Sequence, residues 1–253
     1  MDPSVAVVTG AGSGIGQATA QLLAGQGHHV LATDLRADGL AGPAAAGAHT
    51  VTADLSTDEG RGGLLTAAGA WLEELGSPLD WLVNAAGMIV LRPIGEVDSG
   101  DLRTAFATNV ESVFLLCQQL GVRMRDGGAI VNFSSPSAKF VATTEAAAYA
   151  LTKAAVSQVT RSFAMAYAPR AIRVNALSPG ITDTPMQDRV LREVSAARGI
   201  SLEALSAGRL KTVPMGRTAP PSEIAGVVAW LLSDAARYMT GQVINVDGGM
   251  VMW

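Results

Sequence analysis

The chain predicts an α/β fold, with a seven-stranded parallel sheet and helices on both of its faces. Seven short apolar runs recur along the 253 residues, and most are continuous rather than alternating, as strands buried on both faces should be. Segments long enough for helices separate these runs. This alternation of strand and helix favours right-handed crossover connections within one sheet.

The predicted strands cover residues 4–9, 29–33, 50–53, 81–84, 129–133, 173–177 and 242–246. The predicted helices cover residues 14–26, 57–75, 98–125, 149–168 and 222–233, with a weak helix plus loop at 35–47. Residues 180–221 form an oversized insertion with helix-like pieces at 186–197 and 202–210. We predict a helical substrate lid over about residues 182–215; a surface excursion without function is the alternative.

Composition predicts one domain over residues 1–253, since 49% of residues are hydrophobic and only 16% are charged. A net charge of −4 without a basic stripe argues against a nucleic-acid partner. The chain has neither a membrane-length apolar run nor a signal-peptide pattern, so we expect a cytoplasmic protein with no membrane partner. The lone Cys117 predicts a buried thiol, and three histidines without suitable spacing or company predict no metal site.

A glycine-rich turn joins the first strand to the first helix. Gly10, Gly14 and Gly16 permit close approach of the backbone to a pyrophosphate, and Ser13 and Ile15 lie at the positive end of the helix. Glycine clusters also form ordinary loops. The flanking strand and helix favour a dinucleotide site in a Rossmann-type doubly wound domain.

Asp34 ends the second predicted strand, 20 positions after Gly14. An acid there can accept hydrogen bonds from the adenosine ribose hydroxyls, and its charge would repel a 2′-phosphate. The sequence therefore favours NAD over NADP. Arg36 leaves the second cofactor open, because a guanidinium can receive that phosphate.

Tyr149 and Lys153 are four positions apart in an Ala-rich run, so on a helix both side chains leave one face. An ammonium held near a phenol lowers its pKa and makes it a usable general acid or base. Taken alone, this spacing also describes a solvated helix face.

Together, these motifs resemble the short-chain dehydrogenase/reductase superfamily in its compact form of about 250 residues. The matching segments are Thr9–Gly16, Asn84–Gly87, Phe106–Val110, Ile130–Ser135, Tyr149–Lys153, Ser178–Thr184 and Asn245–Gly249. They occur in the family's order and cover essentially the whole chain.

The resemblance implies that Tyr149 exchanges a proton with the substrate oxygen while hydride moves between substrate carbon and nicotinamide. Lys153 would bind the nicotinamide ribose and hold the phenol pKa down. Ser135 would stabilise charge on the substrate oxygen, and Asn109 would fix a water behind Lys153.

The resemblance also implies a set of residues beside NAD, with Asp54 at the adenine and Thr184 at the nicotinamide amide and phosphates. The set comprises Gly10, Ser13, Gly14, Ile15, Gly16, Asp34, Asp54, Leu55, Asn84, Ala85, Gly87, Tyr149, Lys153, Pro179, Gly180, Ile181 and Thr184. The 14 positions from Ser135 to Tyr149 exceed the usual family spacing. Ser137 is therefore a second candidate for the active serine, and Ser134 a third.

The predicted substrate pocket combines residues 88–91, 136–145 and 186–215. Its apolar lining would come from Met88, Val90, Phe140, Val141 and Met186, with Thr143, Thr144 and Glu145 as polar contacts. Glu145 either recognises a polyol or amine or is a solvated loop acid. This lining suits a secondary alcohol or ketone of modest size.

The expected function is NAD-dependent interconversion of a secondary alcohol or polyol and a ketone. A 3-oxoacyl-thioester (acyl-carrier-protein) reductase using NADPH is the alternative, and a non-catalytic nucleotide-sensing protein is a remote one. The family pairs the helices predicted at 98–125 and 149–168, so we expect a homotetramer or at least a dimer. Their apolar residues include Phe114, Leu115, Leu116, Val156, Val159, Phe163 and Met165, and the apolar C-terminus, residues 250–253, is expected at a subunit contact.

Overall fold

A computed structural model describes residues 3–141 and 143–253 as one α/β domain. In this part of the chain, seven parallel strands form one sheet in the order β3-β2-β1-β4-β5-β6-β7. The strands are β1 (Val5–Thr9), β2 (His29–Asp34), β3 (His49–Thr52), β4 (Leu79–Asn84), β5 (Met124–Phe133), β6 (Arg173–Pro179) and β7 (Val243–Val246). The predicted fold class is confirmed.

The helices cover both faces of this sheet. They are α1 (Gly14–Gly25), α2 (Ala41–Ala45), α3 (Asp58–Leu75), α4 (Ser99–Phe106), α5 (Ser112–Gly121), α6 (Ala147–Tyr167), α7 (Pro185–Arg198), α8 (Leu202–Leu210) and α9 (Pro221–Leu232). None of the described helices is both long and apolar enough to cross a membrane.

Alternation along β1 explains the two layers of helices. Val5 and Val7 belong to a core shared with α3, α5 and α6, whereas Ala6 and Val8 belong to a core shared with α1 and α9. Successive strand side chains point to opposite faces, so a strand apolar at every position requires helices on both sides.

The predicted helix over 98–125 was wrong in its continuity and its end. It is divided into α4 and α5 by a π-helical turn at Ala107–Glu111, and α5 ends at Gly121. The chain then enters β5 at Met124 rather than at 129. Helices α5 and α6 approach closely at Gly121, because the Tyr167 ring occupies the space that a side chain would need. A Cβ on Gly121 would lie 2.3 Å from Tyr167 Oη.

A crevice opens at the carboxyl ends of β1 and β4, where the strand order reverses direction. The two strand ends are tied together, because the Ala86 amide donates a 3.1 Å hydrogen bond to Thr9 Oγ1. Above the crevice lie α7 and α8, which confirm the two helices predicted in the insertion. We call residues 182–215 the lid.

Candidate active site

One cavity of about 1130 Å³ runs from the glycine turn to the lid. It contains nearly every residue that the sequence predicted for the site. Those lining it are Gly10, Ser13, Gly14, Ile15, Gly16, Asp34, Asp54, Leu55, Ala85, Gly87, Ser135, Tyr149, Lys153, Pro179, Gly180, Ile181 and Thr184. The predicted Asn84 and Asn109 are not among the lining residues.

The glycine turn has a shape that only glycine allows. Gly10 has φ of +63°, and a Cβ there would lie 2.6 Å from the Ala86 amide nitrogen. A Cβ on Gly16 would lie 2.1 Å from the Gly10 carbonyl oxygen, so the first turn of α1 packs directly against the backbone of the glycine turn. Ser13 precedes α1 without capping it through its side chain. The first amides of α1 therefore suit an anion such as a pyrophosphate.

Asp34 sits beside this turn at the end of β2. Its carboxylate accepts hydrogen bonds from the Gly12 amide at 2.9 Å and the Arg36 amide at 3.2 Å. The Arg36 guanidinium is exposed, lies 3.5 Å from Asp38, and does not line the cavity. The carboxylate, and not the guanidinium, faces the cleft.

Two further predicted residues have different surroundings. The Asp54 carboxylate borders the cavity and accepts hydrogen bonds from the Ser56 amide and hydroxyl. The Asn84 side chain is buried beneath the cleft, where its Nδ2 donates to Asn132 at 2.9 Å and lies 3.4 Å from Cys117 Sγ. Burial raises the pKa of Cys117 to about 12, so the thiol is inert and buried as predicted.

Helix α6 carries Tyr149 and Lys153 on the face that borders the cavity. The Lys153 ammonium donates a 2.8 Å hydrogen bond to the Phe133 carbonyl at the end of β5 and lies 5.5 Å from the Tyr149 ring centroid. The spacing therefore brings the phenol and the ammonium together, as predicted.

The three candidate serines follow β5 in sequence but differ in their partners. The Ser134 hydroxyl is engaged with α6, at 3.1 Å from the Lys153 carbonyl and 2.8 Å from Ser157 Oγ. Ser137 also borders the cavity, and its amide donates to Ser135 Oγ at 3.2 Å. Ser135 borders the cavity with Tyr149, and its hydroxyl acts on the pKa of the phenol in the lowering direction. This influence on the phenol favours Ser135 as the active serine.

The pKa of the phenol differs from the sequence prediction. Burial raises the pKa of Tyr149 to about 12, while the Ser135 hydroxyl acts in the lowering direction. Burial also lowers the pKa of Lys153 to about 8. The raised phenol pKa differs from the predicted lowering by Lys153, since desolvation is its largest cause and the ammonium donates to the Phe133 carbonyl.

Asn109 lies in the π-helical turn and is fully buried. Its amide pairs with both backbone groups of Met88, at 2.8 and 2.9 Å, and donates to Thr152 Oγ1 at 3.0 Å. A Cβ on Gly87 would lie 3.3 Å from Asn109 Oδ1 and 3.6 Å from Lys153 Nζ. Asn109 thus joins the segment after β4 to α6 directly behind the lysine.

Comparisons with known proteins agree with this geometry. The family model described as Enoyl-(Acyl carrier protein) reductase matches residues 10–251. The chain belongs to the short-chain dehydrogenase/reductase superfamily. The galactitol 2-dehydrogenase (L-tagatose-forming) of Cereibacter sphaeroides is 37% identical over 100% of this chain and 97% of its own. The D-threitol dehydrogenase of Mycolicibacterium smegmatis is 37% identical over 98% of this chain and 93% of its own.

Among solved structures, a blue fluorescent protein from a metagenomic library in complex with NADPH has a TM-score of 0.85 with this chain. The two are 29% identical, and the match covers 98% of each. A protein of this fold therefore binds NADPH.

The part of the cavity that the sequence predicts for the substrate is mainly apolar. Its lining includes Met88, Ile89, Leu91, Phe140, Val141, Met186 and Val190. The prediction that Val90 lines the pocket was wrong, because it is buried behind the cleft against Ala105 and Ala148. Of the predicted polar contacts, Thr143 borders the cavity and Thr144 does not.

Glu145 is not the solvated loop acid that the sequence favoured. Arg198 at the end of α7 donates to both of its carboxylate oxygens, at 2.9 and 2.8 Å, and to Thr143 Oγ1 at 2.7 Å. These contacts lower the pKa of Glu145 to about 2. The pair joins the lid to the loop before α6, and the sequence gives no signal for it because the partners are 53 positions apart.

Proposed function

We propose that this chain is an NAD-dependent oxidoreductase that interconverts a secondary alcohol or polyol and a ketone. One observation carries the proposal. A single cavity joins the glycine turn and Asp34 to Ser135, Tyr149 and Lys153. The two polyol dehydrogenases that are 37% identical to the chain support the substrate class.

In the proposed mechanism, a bound nicotinamide dinucleotide supplies or accepts the hydride. Ser135 donates a hydrogen bond to the substrate oxygen and so stabilises the charge that develops there. Tyr149 gives its phenol proton to that oxygen during ketone reduction and takes it back during alcohol oxidation. A phenol pKa of about 12 keeps the proton in place at neutral pH until the substrate oxygen becomes basic enough to take it.

Lys153 has two parts in this proposal. Its buried ammonium, 5.5 Å from the phenol ring centroid, stabilises the phenolate left after proton transfer. It also binds the nicotinamide ribose. Asn109 positions the lysine through Thr152, its neighbour on α6, and supports a water chain behind it.

The preference for NAD rests on the contrast between Asp34 and Arg36. The Asp34 carboxylate faces the cleft, where it can accept hydrogen bonds from ribose hydroxyls and repel a 2′-phosphate. The Arg36 guanidinium is exposed beside Asp38 and lies outside the cleft. We therefore favour NAD over NADP.

A 3-oxoacyl-thioester reductase is the second candidate, and it is favoured by the matching family model, whose description concerns reduction of an acyl-carrier-protein substrate. A non-catalytic nucleotide sensor is a remote candidate, because such a protein would not need both Tyr149 and Lys153 in the cleft. Substrate choice and cofactor choice separate the three possibilities.

The deciding experiment is a spectrophotometric panel that follows reduced nicotinamide with NAD and NADP in parallel. Polyols and short secondary alcohols should be oxidised with NAD, while 3-oxoacyl thioesters should be reduced slowly. Faster reduction of a thioester with NADPH would favour the second candidate. Dinucleotide binding without turnover of any substrate would favour the sensor.

We also propose a homotetramer, or at least a dimer. Most of the apolar residues predicted at a subunit contact belong to the core, but Phe114 on α5 and Met165 on α6 are 42% and 80% exposed. Leu151 adds a third exposed apolar side chain on α6. At the C-terminus, Val251 is buried, whereas Met252 and Trp253 are exposed and free to meet another subunit. Analytical ultracentrifugation of the parent chain and of a Met165→Glu variant tests this proposal. We expect the parent to sediment as an oligomer and the variant to dissociate, and a monomeric parent would contradict the proposal.

A further inference from the structure

Arg209 on α8 is a lid residue whose charge is not neutralised in the described structure. Its guanidinium borders the cavity, and Nη2 donates a 2.7 Å hydrogen bond to Gln187 Oε1. Its Nη1 is buried and has no hydrogen-bond partner within residues 3–141 and 143–253. No acidic side chain of these residues forms an ion pair with it.

Burying a guanidinium N–H without an acceptor costs free energy unless an anion or another acceptor outside the described residues pairs with it. A buried N–H without an acceptor loses its hydration, and a buried cation without an anion loses more. Burial lowers the pKa of Arg209 accordingly. The other lid arginine on the cavity, Arg198, is satisfied by Glu145. Of these two lid arginines on the cavity, Arg209 is thus the one that lacks an anion among the described residues.

A chain of contacts places this guanidinium on the side of the cleft that holds the glycine turn. The Gln187 side chain accepts from Arg209, and the Gln187 amide donates to Thr184 Oγ1 at 3.3 Å. Thr184 in turn lies against the turn, since a Cβ on Gly14 would be 2.9 Å from Thr184 Cγ2. The anion nearest to Arg209 would be one seated at the start of α1.

We propose that Arg209 binds the pyrophosphate of the dinucleotide from the lid side, opposite the amides of α1. The inference rests on the proposed function, because it assumes a dinucleotide in the cleft. Guanidinium is well suited to phosphate, since its planar donors can engage two oxygens at once. The lid would then be held by the cofactor at Arg209 and by Glu145 at Arg198.

The test measures binding without turnover. Arg209→Met and Arg209→Lys are titrated calorimetrically with NADH and with ADP-ribose, which keeps the pyrophosphate but lacks nicotinamide. Arg192→Met is the matched control, because Arg192 is exposed on α7 and does not line this cavity. Melting temperature and circular dichroism establish that each variant is folded.

We expect Arg209→Met to raise the Kd of both ligands by about tenfold or more, as loss of a charge-assisted hydrogen bond should. Arg209→Lys should lose less, because it keeps the charge but not the planar fork, and Arg192→Met should bind as the parent does. If Arg209→Met folds poorly, the Lys variant alone decides, and wild-type affinity in it would overturn the proposal.

Two other results would also overturn it. Unchanged dinucleotide and ADP-ribose affinity in Arg209→Met, with a raised KM for acidic substrates only, would assign Arg209 to a substrate carboxylate. Failure of the parent protein to bind NADH or ADP-ribose would refute the proposed function itself, and the two failures are thereby distinguishable.

Discussion

Replacing Asp34 by serine tests the cofactor preference, because it removes the carboxylate that lies beside the glycine turn and borders the cavity. Two unit charges 4 Å apart interact by about 1 kcal/mol in water and about 4 kcal/mol at an effective dielectric constant of 20. A 2′-phosphate beside Asp34 should therefore be disfavoured by about fivefold to a thousandfold. In Asp34→Ser, we expect the NAD-to-NADP ratio of kcat/KM to fall to within about fivefold of unity.

The assay is initial-rate kinetics with both cofactors on one alcohol. Glu74→Gln serves as the control, since it removes one exposed carboxylate far from the cleft. A combined Asp34→Ser, Asp38→Ser variant frees Arg36 from its ion pair and should shift the ratio further toward NADP. The reasoning is refuted if the parent prefers NADP, or if Asp34→Ser leaves the ratio unchanged.

Two further predictions concern proton release and the lid. Because the pKa of Lys153 is lowered to about 8, the Tyr149–Lys153 pair should release its first proton near pH 8. The rate of alcohol oxidation should then rise as the pH passes through about 8, and the rate of ketone reduction should fall. Rates that do not change across this pH range would contradict proton release by the Tyr149–Lys153 pair. Glu145→Gln should raise KM about two- to fivefold with little change in kcat, because the pair is partly exposed on its Arg198 side and so contributes modestly. The Glu145 pKa is lowered from 4.5 to about 2, so the ion pair should be complete above about pH 4.5 and weaken toward pH 2; a KM unaltered by the substitution would exclude a lid role for the pair.

Sequence reasoning located the strands well and the long helix poorly. Continuous apolar runs mark strands buried on both faces, so β1 and β6 begin within one residue of their predicted starts. The start of β5 was missed because Arg125–Gly128 is charged and glycine-rich, which is typical of a loop. The break at Ala107–Glu111 was missed because its residues continue the apolar spacing of a helix, and only packing of Asn109 against Met88 and Thr152 shows why the turn widens.

The residues of the candidate site likewise fall into those that local sequence predicts and those that depend on tertiary packing. Gly10, Asp34 and Tyr149 could be predicted because local motifs position them against the chain immediately around them. The Arg198–Glu145 pair and the open donor of Arg209 could not, since they depend on where the lid lies over the cleft. The raised pKa of Tyr149 also could not be predicted from the sequence, because desolvation depends on the packed structure.

The central claim is that the Tyr149 phenol carries the proton, and Tyr149→Phe tests it most directly. This variant removes one oxygen and keeps the ring, so the packing beside Ile89 and Ala146 should persist. We expect kcat to fall by about 10²-fold or more while the calorimetric Kd of NADH changes less than about threefold. A Tyr149→Phe protein that binds NADH normally and keeps most of its turnover would contradict the account.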